Sequence, residues 1–270
     1  MKNGLKRVIM WVLIAAFALG SAADGSAARA VDYSKYSNTK KSWYIMRQDK
    51  HKASGGADSA SNLKKYDAYY YDNKTKDKVM YFCFDCGYEA GYTKGMLDVL
   101  KKHDVKATFF VTKAFVEEQP KLCKRMKKEG HIVGSHTMNH PSIPGISLSR
   151  LKKEIKGLES LFKKKTGYEL DKFIRPPMGP YSNRTLKYIK DMGYKTIFWS
   201  IAYMDYDVNK QPGKTYVVDH FKKYYHKGAI TLTHNTSKSN AQALDDVLTF
   251  LEGKGYGFRT VYELECSNNK

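Results

Sequence analysis

Two histidines four positions apart, His136 and His140, give the clearest chemical signal in the sequence. An H-x-x-x-H pair can present two imidazoles to one metal ion, from a helical turn or from a loop leading into one. The same spacing also fits two surface histidines without a function. The pair is not the H-E-x-x-H motif of zinc peptidases, because Thr137 occupies the position of the required glutamate.

Asp85 and Cys86 stand side by side after an apolar run and form a second candidate group. Thiolate and imidazole both suit zinc, which makes Cys86 a candidate third ligand. A carboxylate beside a metal-bound water is a natural general base, although Asp85 could also simply cap a loop. Cys83 and Cys86 form a C-x-x-C pair that also fits a disulfide or a redox motif. Cys83 lies within a strand pattern, which disfavours the thioredoxin-type interpretation.

Three further polar residues extend the candidate set. Arg175 opens the segment R-P-P-M-G-P, whose prolines stiffen the backbone and could aim a guanidinium or an N–H at a site, or could merely form a rigid loop. His234 ends a threonine-rich run, and Asp205 could pair with it and raise its pKa. A protonated His234 could then donate a proton to a leaving amine. The sequence lacks the G-x-S-x-G motif of serine hydrolases.

The elements that must position these residues alternate regularly from residue 79 onward. Short β-rich runs alternate with amphipathic helical patterns, which predicts an α/β fold with a parallel sheet, either doubly wound or closed as a barrel. Both architectures place the active site beyond the carboxyl ends of the strands, where the candidate residues fall. The predicted strands cover residues 79–84, 107–111, 131–135, 172–175, 195–200, 229–233 and 257–260.

The first thirty residues resemble a secretory signal. Lys2, Lys6 and Arg7 precede a 13-residue apolar run, and small residues follow up to an A-x-A site at residues 28–30. The run is shorter than the roughly 20 residues that span a bilayer, so we predict cleavage, with a retained anchor as the alternative. We therefore expect a secreted protein, or one associated with the cell wall or the outer face of the membrane.

The remaining segments and the charge complete the outline. Residues 31–78 are predicted to form an irregular N-terminal extension, with Trp43 and residues 69–71 packing on the main domain at 79–264, and residues 265–270 form a tail. Residues 1–30 carry four basic residues and one acidic residue, so the rest keeps +17 of the total net charge of +20. This charge favours a polyanionic matrix such as a cell wall. Export and dispersed lysines disfavour nucleic acid, and no required protein partner is evident.

Five motifs together resemble one family. These are Phe84-Asp85-x-Gly87, His136-Thr137-x-x-His140, Arg175-Pro176-Pro177-x-Gly179, Asp205-Tyr206 and Leu232-x-His234. They are similar to the polysaccharide deacetylases with a NodB homology domain, carbohydrate esterase family 4, over residues 79–264. Within that family the chain most resembles the delta-lactam-biosynthetic peptidoglycan de-N-acetylases.

The resemblance implies a deformed (β/α)7 barrel, one divalent metal ion with zinc favoured, and hydrolysis of an N-acetyl group on an amino sugar. Cys86 departs from the family, since it stands where a metal-binding aspartate is usual. Tyr206 and Met178 also replace residues that are commonly aromatic, tryptophan in the first case. The implied roles are general base for Asp85, metal ligands for His136 and His140, orientation of the base for Arg175, general acid for His234, tuning of that acid for Asp205, an acetyl-methyl pocket for Leu232 and Tyr206, and an oxyanion-binding N–H for Met178.

The expected function is therefore metal-dependent de-N-acetylation of peptidoglycan by an exported enzyme. The substrate is expected to be N-acetylmuramic acid in the glycan strand, leading to muramic delta-lactam as in spore cortex. The enzymatic alternatives are deacetylation of N-acetylglucosamine in wall glycan or chitin, and acetyl xylan esterase activity. The alternative without catalysis is a cationic wall-binding protein with a decayed site.

Overall fold

A computed structural model describes residues 31–264, so the predicted signal at 1–30 and the tail at 265–270 lie outside the described residues. The strands are β1 (Lys41–Ser42), β2 (Ile45–Met46), β3 (Gly55–Gly56), β4 (Ala68–Tyr69), β5 (Val79–Tyr81), β6 (Cys83–Cys86), β7 (Thr108–Val111), β8 (Ile132–Ser135), β9 (Phe173–Ile174), β10 (Pro180–Tyr181), β11 (Lys195–Ile197), β12 (Ala229–Ile230), β13 (Thr233–His234) and β14 (Gly257–Phe258).

Eight α-helices alternate with these strands in the described part of the chain. They are α1 (Ala60–Lys64), α2 (Thr93–Lys102), α3 (Lys113–Glu118), α4 (Pro120–Lys128), α5 (Leu148–Thr166), α6 (Asn183–Asp191), α7 (Lys214–Tyr224) and α8 (Lys238–Gly253). Short 3-10 helices cover Tyr33–Lys35, Ile143–Gly145 and Val261–Glu263. No helix within residues 31–264 is both long enough and apolar enough to cross a membrane.

Seven strands form a curled parallel sheet in the order β13-β6-β7-β8-β9-β11-β4. A second parallel sheet, β12-β5-β14, continues the same runs of chain, because β5 leads directly into β6 and β12 into β13. A parallel bridge between Ile201 and Thr231 brings the two ends of the curl together. The deformed barrel expected from the sequence is thus confirmed, and each of the seven predicted strands has a counterpart.

Helix α5 shows how the sequence sets the elements around the sheet. The Ser147 hydroxyl accepts the Arg150 N–H and caps the first turn, and Gly167 ends the helix with a φ of 81°. Apolar residues recur on one face, as predicted, and that face packs into the core. These fully buried residues are Leu151, Ile155, Leu158 and Phe162.

The N-terminal extension contributes to the barrel itself. Strand β4 was not predicted from the sequence, yet it pairs in parallel with β11, with Ala68 opposite Thr196. The Trp43 ring stacks on Phe198 at a centroid distance of 4.7 Å, and its indole N–H donates to the Trp199 carbonyl at 3.0 Å. The extension therefore supports the part of the barrel wall that contains Trp199, which lines a large cavity.

Candidate active site

A cavity of about 1010 Å³ opens beyond the carboxyl ends of the parallel strands. Asp85 and His234 lie opposite each other in the register of β6 and β13, and His136 follows directly after β8. This is the edge where parallel α/β folds assemble their sites from distant segments. The predicted residues that line the cavity are Asp85, His136, His140, Met178, Tyr206, Leu232 and His234.

Asp85 is held by a fully buried arginine. The Arg175 Nη1 donates to Asp85 Oδ1 at 2.9 Å, and only 5% of Asp85 is exposed. Burial by itself would raise the pKa of Asp85, but the charge and the hydrogen bond of Arg175, with a further contribution from the charge of His234, outweigh it and lower the pKa. The carboxylate is therefore ionised at neutral pH, as a general base must be.

The Arg175 guanidinium is fixed on every side. Its Nε donates to the Ile197 carbonyl at 3.1 Å, and its Nη2 donates to the carbonyls of Phe198 and Thr231 at 3.3 and 3.0 Å. The guanidinium carbon also lies 4.6 Å from the centre of the Phe110 ring. These contacts fix the guanidinium, so that its Nη1 group orients Asp85 and its charge stabilises the ionised carboxylate.

His136 and His140 converge as the sequence predicted. The Arg175 carbonyl lies 2.9 Å from Nδ1 of His136, and because a carbonyl only accepts, this nitrogen carries the proton. The Nε2 atom is then a bare acceptor, and it lies 3.2 Å from Nε2 of His140. It also lies 3.5 Å from Asp85 Oδ2. Burial lowers the pKa of His136 to about 4, which keeps the imidazole neutral.

A strained loop, and not a helical turn, presents the two imidazoles. Thr137 and His140 have φ values of 65° and 55°, in the left-handed region that side chains other than glycine rarely adopt. The His140 N–H donates to the Thr137 hydroxyl, and the Asn139 N–H donates to the buried carboxylate of Glu154 at 2.8 Å. The chain is thereby folded back so that both rings face the cavity.

Two neutral imidazoles with facing lone pairs fit one divalent cation. Residues 31–264 hold no preassembled group of three or more His, Cys, Asp or Glu side chains around one point. The fit therefore rests on His136 and His140, with Asp85 nearby and the other coordination positions open to water or substrate.

Cys86, which the sequence predicted as a third metal ligand, does not lie beside the two histidines. Successive side chains of a strand point to opposite faces, so Cys86 points away from the cavity while Asp85 points into it. The thiol is fully buried in an apolar cluster that includes Cys123, and burial, reinforced by the Asp85 charge, raises its pKa well above the ordinary value. The structure does not bring Cys86 to the histidine pair. Cys83 and Cys86 are free thiols, so the C-x-x-C pair is not a disulfide here.

His234 pairs with the fully buried Asp205 and lies on the strand next to Asp85. Asp205 Oδ1 lies 2.7 Å from Nδ1 of His234, and Oδ2 accepts the His234 backbone N–H at 2.8 Å. Burial alone would lower the pKa of His234, but the hydrogen bond and charge of Asp205 raise it above its ordinary value. A histidine that stays protonated with Nε2 free can serve as a general acid.

Asn240, which the sequence did not single out, completes this pair. Its amide donates to Asp205 Oδ2 at 2.6 Å and to the His234 carbonyl at 3.2 Å, and its Oδ1 accepts the Tyr203 hydroxyl at 2.8 Å. Asn240 lies in the first turn of α8, where an asparagine carries no recognisable motif. Only the three-dimensional contact reveals its role in orienting Asp205.

The remaining predicted residues form the rim. The Gly179 N–H donates to the Pro176 carbonyl at 3.1 Å and closes a turn in which Met178 has a φ of 60°. Proline followed by a residue with positive φ is the pattern of a type II turn. The Met178 and Tyr206 side chains are exposed, and the Tyr206 ring lies 6.1 Å from the His234 ring. Leu232 is half-buried and packs against the cluster that contains Trp43 and Trp199.

Comparison with known proteins places these residues in a family. The model of the polysaccharide deacetylase family matches residues 72–197. The chain is 44% identical over 223 residues to the peptidoglycan-N-acetylmuramic acid deacetylase PdaA of Bacillus subtilis, covering 82% of this chain and 84% of that protein. This chain belongs to the polysaccharide deacetylase family. It is accordingly a hydrolase, a polysaccharide N-deacetylase with the NodB homology fold.

A solved structure of the same relative and one further relative support the assignment to the family. The solved structure of B. subtilis PdaA, a family 4 carbohydrate esterase, superposes with a TM-score of 0.81 at 43% identity, covering 86% of this chain and all of that one. A peptidoglycan-N-acetylglucosamine deacetylase of Bacillus cereus is 35% identical over 191 residues, covering 70% of this chain and 88% of that protein. Deacetylases of this family are generally metal-dependent, in keeping with the two converging imidazoles.

Proposed function

We propose that this protein is a metal-dependent de-N-acetylase of peptidoglycan that acts on N-acetylmuramic acid outside the cytoplasmic membrane. The observation that carries the chemistry is that one cavity is lined by a carboxylate held in its ionised form and by a histidine held in its protonated form. Asp85 is kept ionised by Arg175, and His234 is kept protonated by Asp205. The 44% identity to an N-acetylmuramic acid deacetylase supports the substrate.

The chain's own residues supply both proton transfers. Asp85 takes a proton from the attacking water, and His234 gives one to the departing nitrogen, because an unprotonated amine anion is a poor leaving group. The Met178 N–H is proposed to donate to the developing oxyanion. A divalent ion bound by His136 and His140 would supply Lewis-acid polarisation of the amide carbonyl, and imidazole ligands favour zinc.

The product of this reaction explains the proposed biological role. Deacetylation frees an amine next to the lactyl carboxylate of muramic acid. Amine and carboxylate can condense with loss of water to form the muramic delta-lactam of spore cortex. We therefore propose that the enzyme is exported and functions in sporulation, with the peptidoglycan glycan strand as its partner.

Mass spectrometry of digested peptidoglycan tests the proposal. Zinc-loaded protein is incubated with intact peptidoglycan and with peptidoglycan whose peptides have been removed. We expect the mass loss of one acetyl group on muramic residues of the peptide-free glycan. Acetyl loss on glucosamine residues alone would instead support the second function, which the 35% identity to an N-acetylglucosamine deacetylase favours. Binding to the wall with no acetate released from any glycan would contradict both.

A further inference from the structure

One basic side chain of the cavity remains without a role in the chemistry. Lys113, at the start of α3, is the one lysine or arginine among the described residues that lines the cavity. Arg175 is also near, but it is completely buried and its donors are committed to Asp85 and to backbone carbonyls. Lys113 is therefore the permanently charged cation that could bind a negatively charged substituent in the cavity.

The backbone holds Lys113 in a fixed place beside the histidine loop. Its N–H donates to the Met138 carbonyl at 3.2 Å, between the two histidines in sequence. The preceding Thr112 hydroxyl donates to the Gly87 carbonyl at 2.7 Å, in the loop that follows Asp85. The backbone of Lys113 is thus tied to both segments that carry the reacting groups, and its position is set relative to them.

The ammonium group of Lys113 is loosely paired. Its nearest carboxylate, Glu117, lies 3.9 Å away, and the two side chains are 43% and 42% exposed. By contrast, the better-shielded Lys127 lies 2.6 Å from Asp171. Exposed pairs with poor geometry contribute little to stability, so a substrate carboxylate can compete for the ammonium group with Glu117, which also lines the cavity.

We propose that Lys113 binds the free lactyl carboxylate of muramic acid and makes the enzyme prefer peptide-free glycan. This inference rests on the proposed function. The lactyl group is attached to the ring carbon next to the one that carries the acetamido group, so it enters the same cavity as the scissile amide. Glucosamine has only a hydroxyl there, and a peptide-bearing muramic acid has a neutral amide. A lysine in the cavity separates these three groups by charge.

Kinetics on two matched glycans test this subsite. One is peptide-free glycan with free lactyl carboxylates, and the other is the same glycan with those carboxylates converted to methyl amides. The full chain, loaded with zinc, is compared with Lys113→Gln, Lys113→Arg and Lys124→Gln, the last an exposed lysine on α4 outside the cavity. The kcat and KM of acetate release are measured on both glycans.

We expect the wild-type preference for the free carboxylate to fall about tenfold in Lys113→Gln, mainly through KM, because a charge-assisted contact is lost. Lys113→Arg should restore most of the preference, and Lys124→Gln should keep all of it. Equal losses on both glycans, or an unchanged preference, would overturn the subsite while leaving the muramic acid assignment intact. A wild-type protein that releases no acetate from muramic residues would overturn both.

Discussion

At the scale of single residues, the site depends on two groups of opposite charge whose partners are buried. The partners are Arg175 and Asp205, which are both completely buried, while the His234 side chain keeps a quarter of its surface exposed. Each partner therefore acts in a poorly solvated environment where its charge is felt strongly. The pH dependence of the reaction should report both pairs.

Replacing Asp205 with asparagine should lower the pKa of His234, since the charge that raises it is lost. The acid is active only when protonated, so the basic limb of the pH–rate profile should move to lower pH.

His234→Ala should lose about 10²–10⁴-fold in amide hydrolysis and much less on an activated acetyl ester, whose leaving group needs no proton. Equal losses on the two substrates would exclude His234 as the acid.

Replacing Arg175 with lysine should act on the other limb. The base is active only when ionised, and Arg175 helps to lower the pKa of Asp85. A lysine lacks the planar fork that bonds Asp85 and three carbonyls together, so the pKa of Asp85 should rise. We expect the acid limb to move to higher pH, measured by kcat/KM against pH. An unmoved limb with lower activity would mean that Arg175 only shapes the loop.

Replacing Cys86 with alanine separates the sequence-based prediction from the structure. The buried thiol packs against apolar neighbours, so the variant should lose about 1 kcal/mol of unfolding free energy and keep its zinc content. Cys123→Ala, in the same cluster, is the matched control, and His140→Ala should lose zinc. Zinc content is measured by elemental analysis after dialysis. A zinc loss specific to Cys86→Ala would restore the thiolate as a ligand.

At the scale of elements, the extension and the barrel wall act as one unit. Trp43 packs on Tyr70, Tyr181 and Phe198, at ring-centre distances of 4.9, 6.5 and 4.7 Å. Trp43→Ala should therefore cost about 3–5 kcal/mol of unfolding free energy, measured by urea denaturation. Tyr44→Ala, at an exposed neighbouring position, should cost far less. Similar small losses in both variants would show that the extension is dispensable.

Most strands, and the site residues at their ends, could be predicted from the sequence. The strand runs were visible because they are apolar and bounded by turns, and the ends of parallel strands meet at one edge by topology. Asp85, Arg175 and His234 were therefore found together. Strand β4 was missed because its two residues lie before residue 79, outside the alternating pattern from which the other strands were predicted. Its position depends on a partner, β11, that is remote in sequence.

One misplaced side chain, Cys86, and one residue that was not singled out, Asn240, have different physical reasons. The direction of Cys86 could have been inferred, because Asp85 facing the cavity forces its neighbour on a strand to face the core. The contact of Asn240 with Asp205 could not, because it joins the first turn of α8 to a loop through tertiary packing alone. The local sequence pattern determines which face of a strand a side chain lies on, but it does not determine which distant residue a side chain contacts.

At the scale of the whole molecule, buried histidines make stability depend on pH. Burial lowers the pKa of His131, His220 and His226 from 6.5 to about 4. Between those pH values the unfolded chain binds more protons than the folded one. Their contribution to stability is therefore complete above about pH 6.5 and is lost progressively as the pH falls toward 4.

Urea midpoints measured from pH 7 to pH 4.5 should fall accordingly. His220→Phe is the variant to compare, because Nε2 of His220 is buried without a hydrogen-bond partner in the described structure and the ring packs among tyrosines. Phenylalanine keeps the ring and cannot bind a proton, so the midpoint should fall less steeply with acid. An equal slope in both proteins would assign the acid sensitivity to other groups.

The hydrogen bond between Trp43 and Trp199 joins residues 156 positions apart. Non-local contacts of this kind form late and slow folding. Until Phe198 and Trp199 are in place, the Trp43 ring has no surface to pack against. Folding of the N-terminal extension is therefore coupled to the formation of β11 and of the segment that follows it.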